Sequence, residues 1–138
     1  MSEVRRSVRL AAPAAEVWAL IGGFDDVPNW HPGAAASTLQ DVAGETRRVI
    51  TLKGGGGTIV ERLVSHQDRS MSCTYAIVES PLPVTGYEAT LSVTPADGGC
   101  EVHWAGRFEP AGVPAAKAEE IVAGIYDGGL DALRKRFG

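Results

Sequence analysis

The sequence has few of the residues that metal centres and disulfide frameworks need. Its 138 residues include two cysteines and three histidines, without a CxxC pair or an HExxH motif, so neither a zinc site nor a disulfide framework is expected. No apolar run approaches the ~18–20 residues of a membrane span, and the first residues lack the apolar segment of a signal peptide. We therefore expect a cytoplasmic chain with no metal, no membrane insertion and two free thiols, Cys73 and Cys100.

Positive charge is scarce as well. The 13 lysines and arginines are outnumbered by 17 acidic residues, and the net charge of −4 makes nucleic acid an unexpected partner. The glycine run at residues 54–57 is not followed by Lys-Ser/Thr, and the chain contains no GxSxG motif, so a phosphate-binding loop and a nucleophile elbow are excluded. Cofactor-free chemistry or simple ligand binding remains, and no cofactor is expected.

Glycine and proline are abundant in an otherwise average composition. The chain has 17 glycines and 8 prolines, yet 44% of its residues are hydrophobic and 22% are charged, as in ordinary globular domains. The glycines follow no collagen-like period and lie between apolar segments, so they serve a folded domain. At this length we expect one domain that spans residues 1–138.

Apolar periodicity predicts the order of the secondary-structure elements. Alternation over residues 4–10 predicts a strand, Pro13 suits the first turn of a helix that ends at Gly22-Gly23, and a second short helix or turn follows over residues 24–30. Helical spacing of apolar residues predicts a long helix over residues 114–137. Between the helices, strands are predicted over residues 37–42, 46–53, 58–66, 71–78, 87–94 and 101–108.

The turns between the predicted strands are short, and short connections join antiparallel neighbours. A seven-stranded antiparallel sheet with one apolar face can bury that face by wrapping around the long C-terminal helix. The sequence therefore predicts an α+β fold in which a curved antiparallel sheet grips the C-terminal helix, with two short helices after the first strand.

Polar residues on the expected inner face of the sheet are the candidates for chemistry. Alternation places Tyr75 and Tyr87 among the apolar residues of their strands. Glu61 shares one face of its strand with apolar neighbours, but the opposite face is apolar too, so its direction stays open. A buried carboxylate has a raised pKa unless a cation pairs with it, and the nearby candidates are Arg47 and Arg48. A carboxylate of this kind is a candidate general acid or base.

Two glycines interrupt the predicted C-terminal helix. Gly128 and Gly129 each cost about 1 kcal/mol relative to alanine in a helix interior, and neither lies at the helix end. They either let the helix approach the sheet closely or leave space beside it for a ligand. The sequence favours the two interpretations equally.

A series of short motifs, in order along the chain, resembles a known family. The motifs are Val17-Trp18, Phe24 with Trp30-His31-Pro32, Gly44 with Arg47, Glu61-Arg62-Leu63, Tyr87, Gly99-Cys100 with Trp104, and Tyr126 with Gly129-Leu130. Over residues 4–137 they resemble the polyketide cyclase/dehydrase-type branch of the START-like superfamily, also called SRPBCC or birch-pollen-allergen-like. The resemblance implies a helix-grip fold with a large apolar cavity between the sheet and the long helix. It also implies access to that cavity near residues 54–57 and 80–84, which match the gating loops of the related abscisic-acid receptors.

The resemblance also implies catalytic residues. In the plant lachrymatory factor synthases, cofactor-free enzymes of the same superfamily, the functional arginine, glutamate and two tyrosines fall on Arg47, Glu61, Tyr75 and Tyr87 of this sequence. The intervals from Glu61 to Tyr75 and from Tyr75 to Tyr87 fit without a gap, whereas Arg47 requires one in the loop at residues 54–57. We expect further ligand contacts from Trp30, His31, Leu63, Cys73, Leu91, Trp104, Ile125 and Gly129.

These expectations lead to one preferred function and two alternatives. We expect a small hydrophobic ligand in the central cavity and, if the protein is an enzyme, cofactor-free cyclisation, dehydration or isomerisation. Glu61 would then transfer a proton, Arg47 would stabilise developing oxyanion charge, and the two tyrosines would position the substrate. The alternatives are a non-catalytic carrier or sensor of lipids or other small ligands, and a co-chaperone-like interaction module whose cavity is filled by side chains. The expected oligomeric state is a monomer or a weak homodimer.

Overall fold

One long helix lies against a curved seven-stranded antiparallel sheet in the computed structural model, which describes residues 1–138. The first strand, β1 (Ser2–Leu10), leads into helix α1 (Ala14–Ile21) and a single 3₁₀ turn (Val27–Asn29). Helix α2 (Ala115–Phe137) is the last element. The other strands are β2 (Ala34–Val42), β3 (Glu45–Leu52), β4 (Thr58–Gln67), β5 (Ser72–Glu79), β6 (Val84–Ala96) and β7 (Gly99–Pro110), with a second 3₁₀ turn (Lys53–Gly55) between β3 and β4.

The strand order across the sheet is β1-β7-β6-β5-β4-β3-β2. Consecutive antiparallel pairs join β2 through to β7, and only β1 is paired out of sequence, with β7. The β2–β3 hairpin turns at Ala43 and Gly44, whose φ angles of 54° and 82° form the left-handed pair that a tight two-residue turn requires. The pairing of β3 with β4 places Arg48 directly opposite Glu61, which brings two charged residues together on the sheet.

Helix α2 buries one apolar stripe in the main core. Tyr126 and Leu133 of this stripe are almost fully buried, and they share one core cluster with Val102 and Phe108 of β7. Burial of each large apolar side chain contributes about 1.5–3 kcal/mol. A second, smaller cluster lies on the β3–β4 side, and the space between the two clusters becomes the cavity described below. Its members are Val27, Ala34, Ile50 and Ile59.

Helix α1 is tied to the far end of the β4–β5 hairpin. The indole Nε1 of Trp18 donates a hydrogen bond to Oδ1 of Asp68 at 3.0 Å. The ring Nε2 of His66 donates to the backbone carbonyl of Gly22 at 2.7 Å. These two bonds hold the segment that follows α1 over the sheet, where it forms part of the cavity wall.

The predicted α+β helix-grip fold is confirmed. The second short helix or turn predicted over residues 24–30 is a single 3₁₀ turn (Val27–Asn29). The turn cannot lengthen into a helix because Pro32 follows His31, and a residue before proline is disfavoured in the helical conformation.

Two strands begin three residues before the starts that their sequence patterns predicted. Strand β2 begins at Ala34 instead of residue 37, and β6 begins at Val84 instead of residue 87. Both extensions lie beyond an irregularity in the pairing, one after Ala34 and one between Thr85 and Glu88. A bulge shifts the alternation of side chains by one residue, so the regular period ends before the strand does.

Neither helix of this fold has the length and apolar character that a membrane crossing needs. The histidine, cysteine and acidic side chains are dispersed, and no three of them come close enough to hold a metal ion. Cys73 and Cys100 are both free and buried.

Candidate functional site

A cavity of about 250 Å³ lies between the sheet and helix α2. It is lined by 23 residues, 17 of them hydrophobic, so its wall favours an apolar occupant. Helix α2 contributes Ile121 and Ile125, and the segment after α1 contributes Phe24. Only a few side chains with polar groups reach the wall, and the principal ones are His31, Arg48, Glu61, Tyr75 and Tyr87.

The ion pair between Arg48 and Glu61 is the only salt bridge in which both side chains are buried. The side chains are 8% and 7% exposed, and Nε of Arg48 donates to Oε1 of Glu61 at 2.8 Å. Nη1 of Arg48 donates to the backbone carbonyl of Phe24 at 2.7 Å. The guanidinium also lies 4.2 Å from the ring centroid of Phe24 and 4.8 Å from that of Tyr75. Two hydrogen bonds and two aromatic rings therefore hold the arginine in one place.

Glu61 presents one carboxylate oxygen that has no protein donor. Its Oε1 carries the bond from Arg48, and no donor of the protein reaches Oε2. Burial raises the pKa of Glu61, and the adjacent guanidinium opposes part of that rise. A buried carboxyl group with a raised pKa exchanges a proton at a pH closer to neutral than one in water does. The arrangement is therefore suited to proton transfer with a molecule in the cavity.

Two buried tyrosines, Tyr75 and Tyr87, line the cavity, and a third, Tyr126, contacts Tyr87. Nε1 of Trp104 donates to the hydroxyl of Tyr75 at 2.9 Å, so the hydroxyl proton of Tyr75 remains available for another acceptor. The hydroxyls of Tyr87 and Tyr126 are hydrogen-bonded to each other. Burial raises the pKa of all three tyrosines, so their hydroxyls stay protonated at neutral pH. They can donate or share hydrogen bonds but do not serve as bases.

His31 lies on the cavity wall with both ring nitrogens engaged. Nδ1 accepts a hydrogen bond from the backbone N–H of Gly33 at 3.0 Å, and Nε2 lies 2.8 Å from the carbonyl oxygen of Ile125. A carbonyl only accepts, so Nε2 carries the proton and the ring is neutral. Burial also lowers the pKa of His31. The histidine therefore fastens the loop before β2 to helix α2 and has no nitrogen left for a ligand.

Gly129 decides between the two interpretations of the glycine pair in α2. A Cβ atom at this position would lie 2.8 Å from His31, 2.9 Å from Trp104 and 3.0 Å from Trp30. A Cβ atom on Gly128 would be free of close contacts, because the nearest atom, of His31, would be 4.0 Å away. Gly129 therefore allows three aromatic rings to pack directly on the helix, which is the close-approach interpretation.

Nine of the twelve predicted site residues line the cavity. They are Glu61, Tyr75, Tyr87, Trp30, His31, Cys73, Leu91, Trp104 and Ile125. Burial raises the pKa of the Cys73 thiol to about 11, so this cysteine is a neutral part of the wall. The roles assigned to these residues remain predictions.

The other three predicted residues lie away from the cavity. Arg47 lies on the other face of β3, where it pairs with Glu45 at 2.6 Å and its side chain is 27% exposed. The cation at the cavity is therefore Arg48, which corrects the prediction that the functional arginine is Arg47. Leu63 packs against the main core and is not among the residues that line the cavity. Gly129 is covered by the three rings described above.

The two loops predicted to gate the cavity lie next to each other. A Cβ atom on Gly57 would lie 3.8 Å from a ring carbon of Pro81, and Leu82 of the second loop lines the cavity. Their role in access remains a prediction.

Some wall residues had a signal in the sequence and some had none. Arg48, Ile50 and Leu52 occupy alternate positions of β3, so the sequence placed them on one face of the strand. It did not show whether that face points into the cavity. The bond of Tyr126 to Tyr87 had no such signal, because it depends on how α2 is placed over β6.

Comparisons with known proteins agree with this fold. A model of the family described as polyketide cyclase / dehydrase and lipid transport matches residues 1–138. The protein XoxI from Bacillus cereus is 34% identical with a TM-score of 0.93, and the match covers 99% of this chain and 96% of that chain. A protein from Thermobifida fusca is 36% identical with a TM-score of 0.87, and the match covers 100% of this chain and 94% of that chain.

A more distant structure shares the fold alone. The Zhui aromatase/cyclase from a Streptomyces species is 14% identical with a TM-score of 0.76, and the match covers 98% of this chain and 92% of that chain. No match is found among curated proteins.

Proposed function

Since this chain belongs to the polyketide cyclase / dehydrase and lipid transport family, we propose that it binds a small, largely apolar molecule in the cavity between the sheet and α2. The cavity supports the proposal, because it combines about 250 Å³ of space with an apolar wall and a buried ion pair, Arg48–Glu61, on one side. Sites for small molecules are built in this way, with apolar walls for affinity and a few polar groups for orientation.

We propose that Glu61 exchanges a proton with this molecule in a cofactor-free cyclisation, dehydration or isomerisation. Oε1 is held by Arg48, so Oε2 is the oxygen available to the ligand. Arg48 takes the charge-stabilising role that was predicted for Arg47, since it is the arginine on the cavity wall. Tyr75 and Tyr87 position the molecule as hydrogen-bond donors. The family description, which names cyclases and dehydrases, supports this class of chemistry.

A non-catalytic carrier is the second candidate. Arg48 already has the Glu61 carboxylate, the Phe24 carbonyl and two aromatic rings as partners. An ion pair satisfied in this way also stabilises a cavity wall without taking part in a reaction. The family description names lipid transport as well, which supports a carrier. The interaction module has less support, because its cavity was expected to be filled by side chains.

Binding can be tested with a neutral apolar fluorophore, N-phenyl-1-naphthylamine, and two matched variants of β6. Leu91→Trp adds a large ring at the cavity wall, whereas Ser92→Trp adds the same ring next to it, at a residue outside the cavity lining. We expect saturable, one-to-one fluorescence enhancement with the wild type and with Ser92→Trp, and its loss with Leu91→Trp. Equal binding by all three proteins, each shown by thermal unfolding to be folded, would place the fluorophore outside the cavity and reject the proposal.

The catalytic part is tested by Glu61→Gln, which keeps an oxygen for Arg48 but removes the exchangeable proton. With a substrate that the wild type turns over, we expect turnover to fall by about 100-fold or more, since general acid–base catalysis contributes about 10²–10⁴. Fluorophore affinity should change little. Glu45→Gln is the matched control, because Glu45 pairs with Arg47 away from the cavity. Turnover that Glu61→Gln leaves unchanged would reject proton transfer by Glu61.

A further inference from the structure

Trp30 carries a polar group that the protein leaves without a partner. Its side chain is buried, with 7% of the residue exposed, and Nε1 is the only buried side-chain nitrogen or oxygen that has no hydrogen-bond partner. The other tryptophans are satisfied, since Trp18 donates to Asp68 and Trp104 donates to Tyr75. Buried N–H groups without an acceptor are rare, because the hydrogen bonds lost to water are not replaced. The N–H of Trp30 is therefore a buried donor for which the protein supplies no hydrogen-bond acceptor.

The indole of Trp30 borders both helix α2 and the cavity. Its Cζ3 atom faces the helix, where a Cβ atom on Gly129 would lie 3.0 Å away. Nε1 lies on the opposite edge of the indole from Cζ3, so it is directed away from that helix. The same indole forms part of the cavity wall. No protein atom accepts from Nε1, and the cavity is the space next to this indole, so a molecule in the cavity can supply the acceptor once a small rotation of the ring exposes Nε1.

We propose that the N–H of Trp30 recognises a hydrogen-bond acceptor, a carbonyl, ether or hydroxyl oxygen, on the molecule that occupies the cavity. The inference rests on the proposed function, because it needs a ligand in that space. It makes Trp30 a specificity-determining residue. Of two ligands with the same shape, the one with an oxygen next to the indole is bound more tightly, because it pairs a donor that is otherwise buried alone.

Two neighbouring polar side chains already have partners inside the protein. Both nitrogens of His31 are engaged, with Gly33 and Ile125. The hydroxyl of Tyr87 is paired with that of Tyr126. In contrast, the N–H of Trp30 has no hydrogen-bond partner at all, and it would contact a different group of the ligand from the one that meets the Arg48–Glu61 pair.

The test uses two probes of nearly equal shape, 2-acetylnaphthalene and 2-isopropylnaphthalene, and the indole N–H signals in a proton–nitrogen NMR spectrum. Trp18 and Trp104 give internal references for hydrogen-bonded indoles, and Trp30→Phe identifies the third signal by its loss. With the ketone, we expect the Trp30 proton signal to move downfield towards the two references and to exchange more slowly with water. With the hydrocarbon, the signal should keep the upfield position of an unbonded N–H.

Affinities give a second readout that does not depend on the shift. The ratio of ketone to hydrocarbon affinity should fall by about tenfold in Trp30→Phe, the size expected for one hydrogen bond to a buried donor. If both probes bind to the cavity but the Trp30 signal and the affinity ratio are unchanged, the inference is wrong and the proposed function stands. If neither probe shifts any signal of the cavity residues, the proposed function fails, and the inference fails with it.

Discussion

Replacing Gly129 by alanine tests the packing of three aromatic rings on helix α2. The added Cβ would lie 2.8 Å from Cδ2 of His31 and 2.9 Å from Cζ3 of Trp104, closer than a methyl group can approach a ring carbon, and at the limit of 3.0 Å from Cζ3 of Trp30. The rings cannot all retreat, because His31 is bonded to the backbone on both sides and Trp104 is bonded to Tyr75.

Two effects of opposite sign set the size of the change. Overpacking a core of this kind costs about 1–3 kcal/mol, and the better helix propensity of alanine returns about 1 kcal/mol. Gly124→Ala is the matched control, because a Cβ there meets nothing within 4 Å. We expect Gly124→Ala to raise the free energy of unfolding by about 1 kcal/mol, and Gly129→Ala to lie about 1–3 kcal/mol below that control.

Urea unfolding followed by tryptophan fluorescence measures both variants, since Trp30 and Trp104 are part of the packed cluster. The two proteins should have the same dependence on urea concentration, so that the difference in midpoint reports stability. A Gly129→Ala protein as stable as Gly124→Ala would refute the close approach of the rings to the helix. The glycine would then leave space beside α2 instead of contact.

Three further predictions concern the buried polar groups. Burial lowers the pKa of His31, so this residue binds a proton more readily in the unfolded chain than in the folded one. The contribution of neutral His31 to the free energy of unfolding is therefore fully present above the ordinary pKa of about 6.5 and is lost as the pH falls below it. His31→Gln should flatten the fall in unfolding free energy between about pH 7.5 and 5.5, and an unchanged slope would contradict this. In urea titrations, Arg48→Met should cost about 3–5 kcal/mol by leaving Glu61 buried without its cation, and adding Glu61→Leu should recover most of the loss; a double variant no more stable than Arg48→Met would speak against the pair. Tyr126→Phe should cost about 1 kcal/mol because the hydroxyl of Tyr87 loses its partner, and an unaltered midpoint would count against that hydrogen bond.

The strands were the most predictable part of the fold. Alternation and short turns predict antiparallel neighbours from local sequence, and the observed order follows the chain except for the pairing of β1 with β7. The strand ends were less predictable, since the bulge between Thr85 and Glu88 interrupts the period while the pairing of β6 continues to Val84. A periodic pattern identifies regular backbone, and it loses the strand where the backbone is irregular.

The inner face of the sheet was only partly predictable. Tyr75 and Tyr87 have apolar neighbours at every second position, which was enough to direct them inward. Strands β3 and β4 have apolar residues on both faces, so the direction of Glu61 and the choice between Arg47 and Arg48 needed the register that opposes Arg48 to Glu61. The pairing then follows from electrostatics, because a carboxylate is buried only beside a cation.

Contacts between elements that are distant in the chain could not be predicted from the sequence. The roles of His31 and Gly129 depend on α2 crossing over the loop before β2, and the two residues are far apart in the chain. The unpartnered N–H of Trp30 is also invisible in the sequence, since it is defined by the acceptors that do not surround it. Side-chain type and spacing can predict that such residues are buried, but not what they meet.

The central claim is that the cavity of about 250 Å³ takes up one small apolar molecule. Native mass spectrometry of the protein purified from its own host tests this most directly, with Leu91→Trp and Ser92→Trp prepared in the same way. We predict one co-purifying small molecule per chain in the wild type and in Ser92→Trp, released on denaturation and absent from Leu91→Trp. A molecule carried equally by Leu91→Trp, or a wild type that carries none and also fails to bind N-phenyl-1-naphthylamine, would contradict the claim.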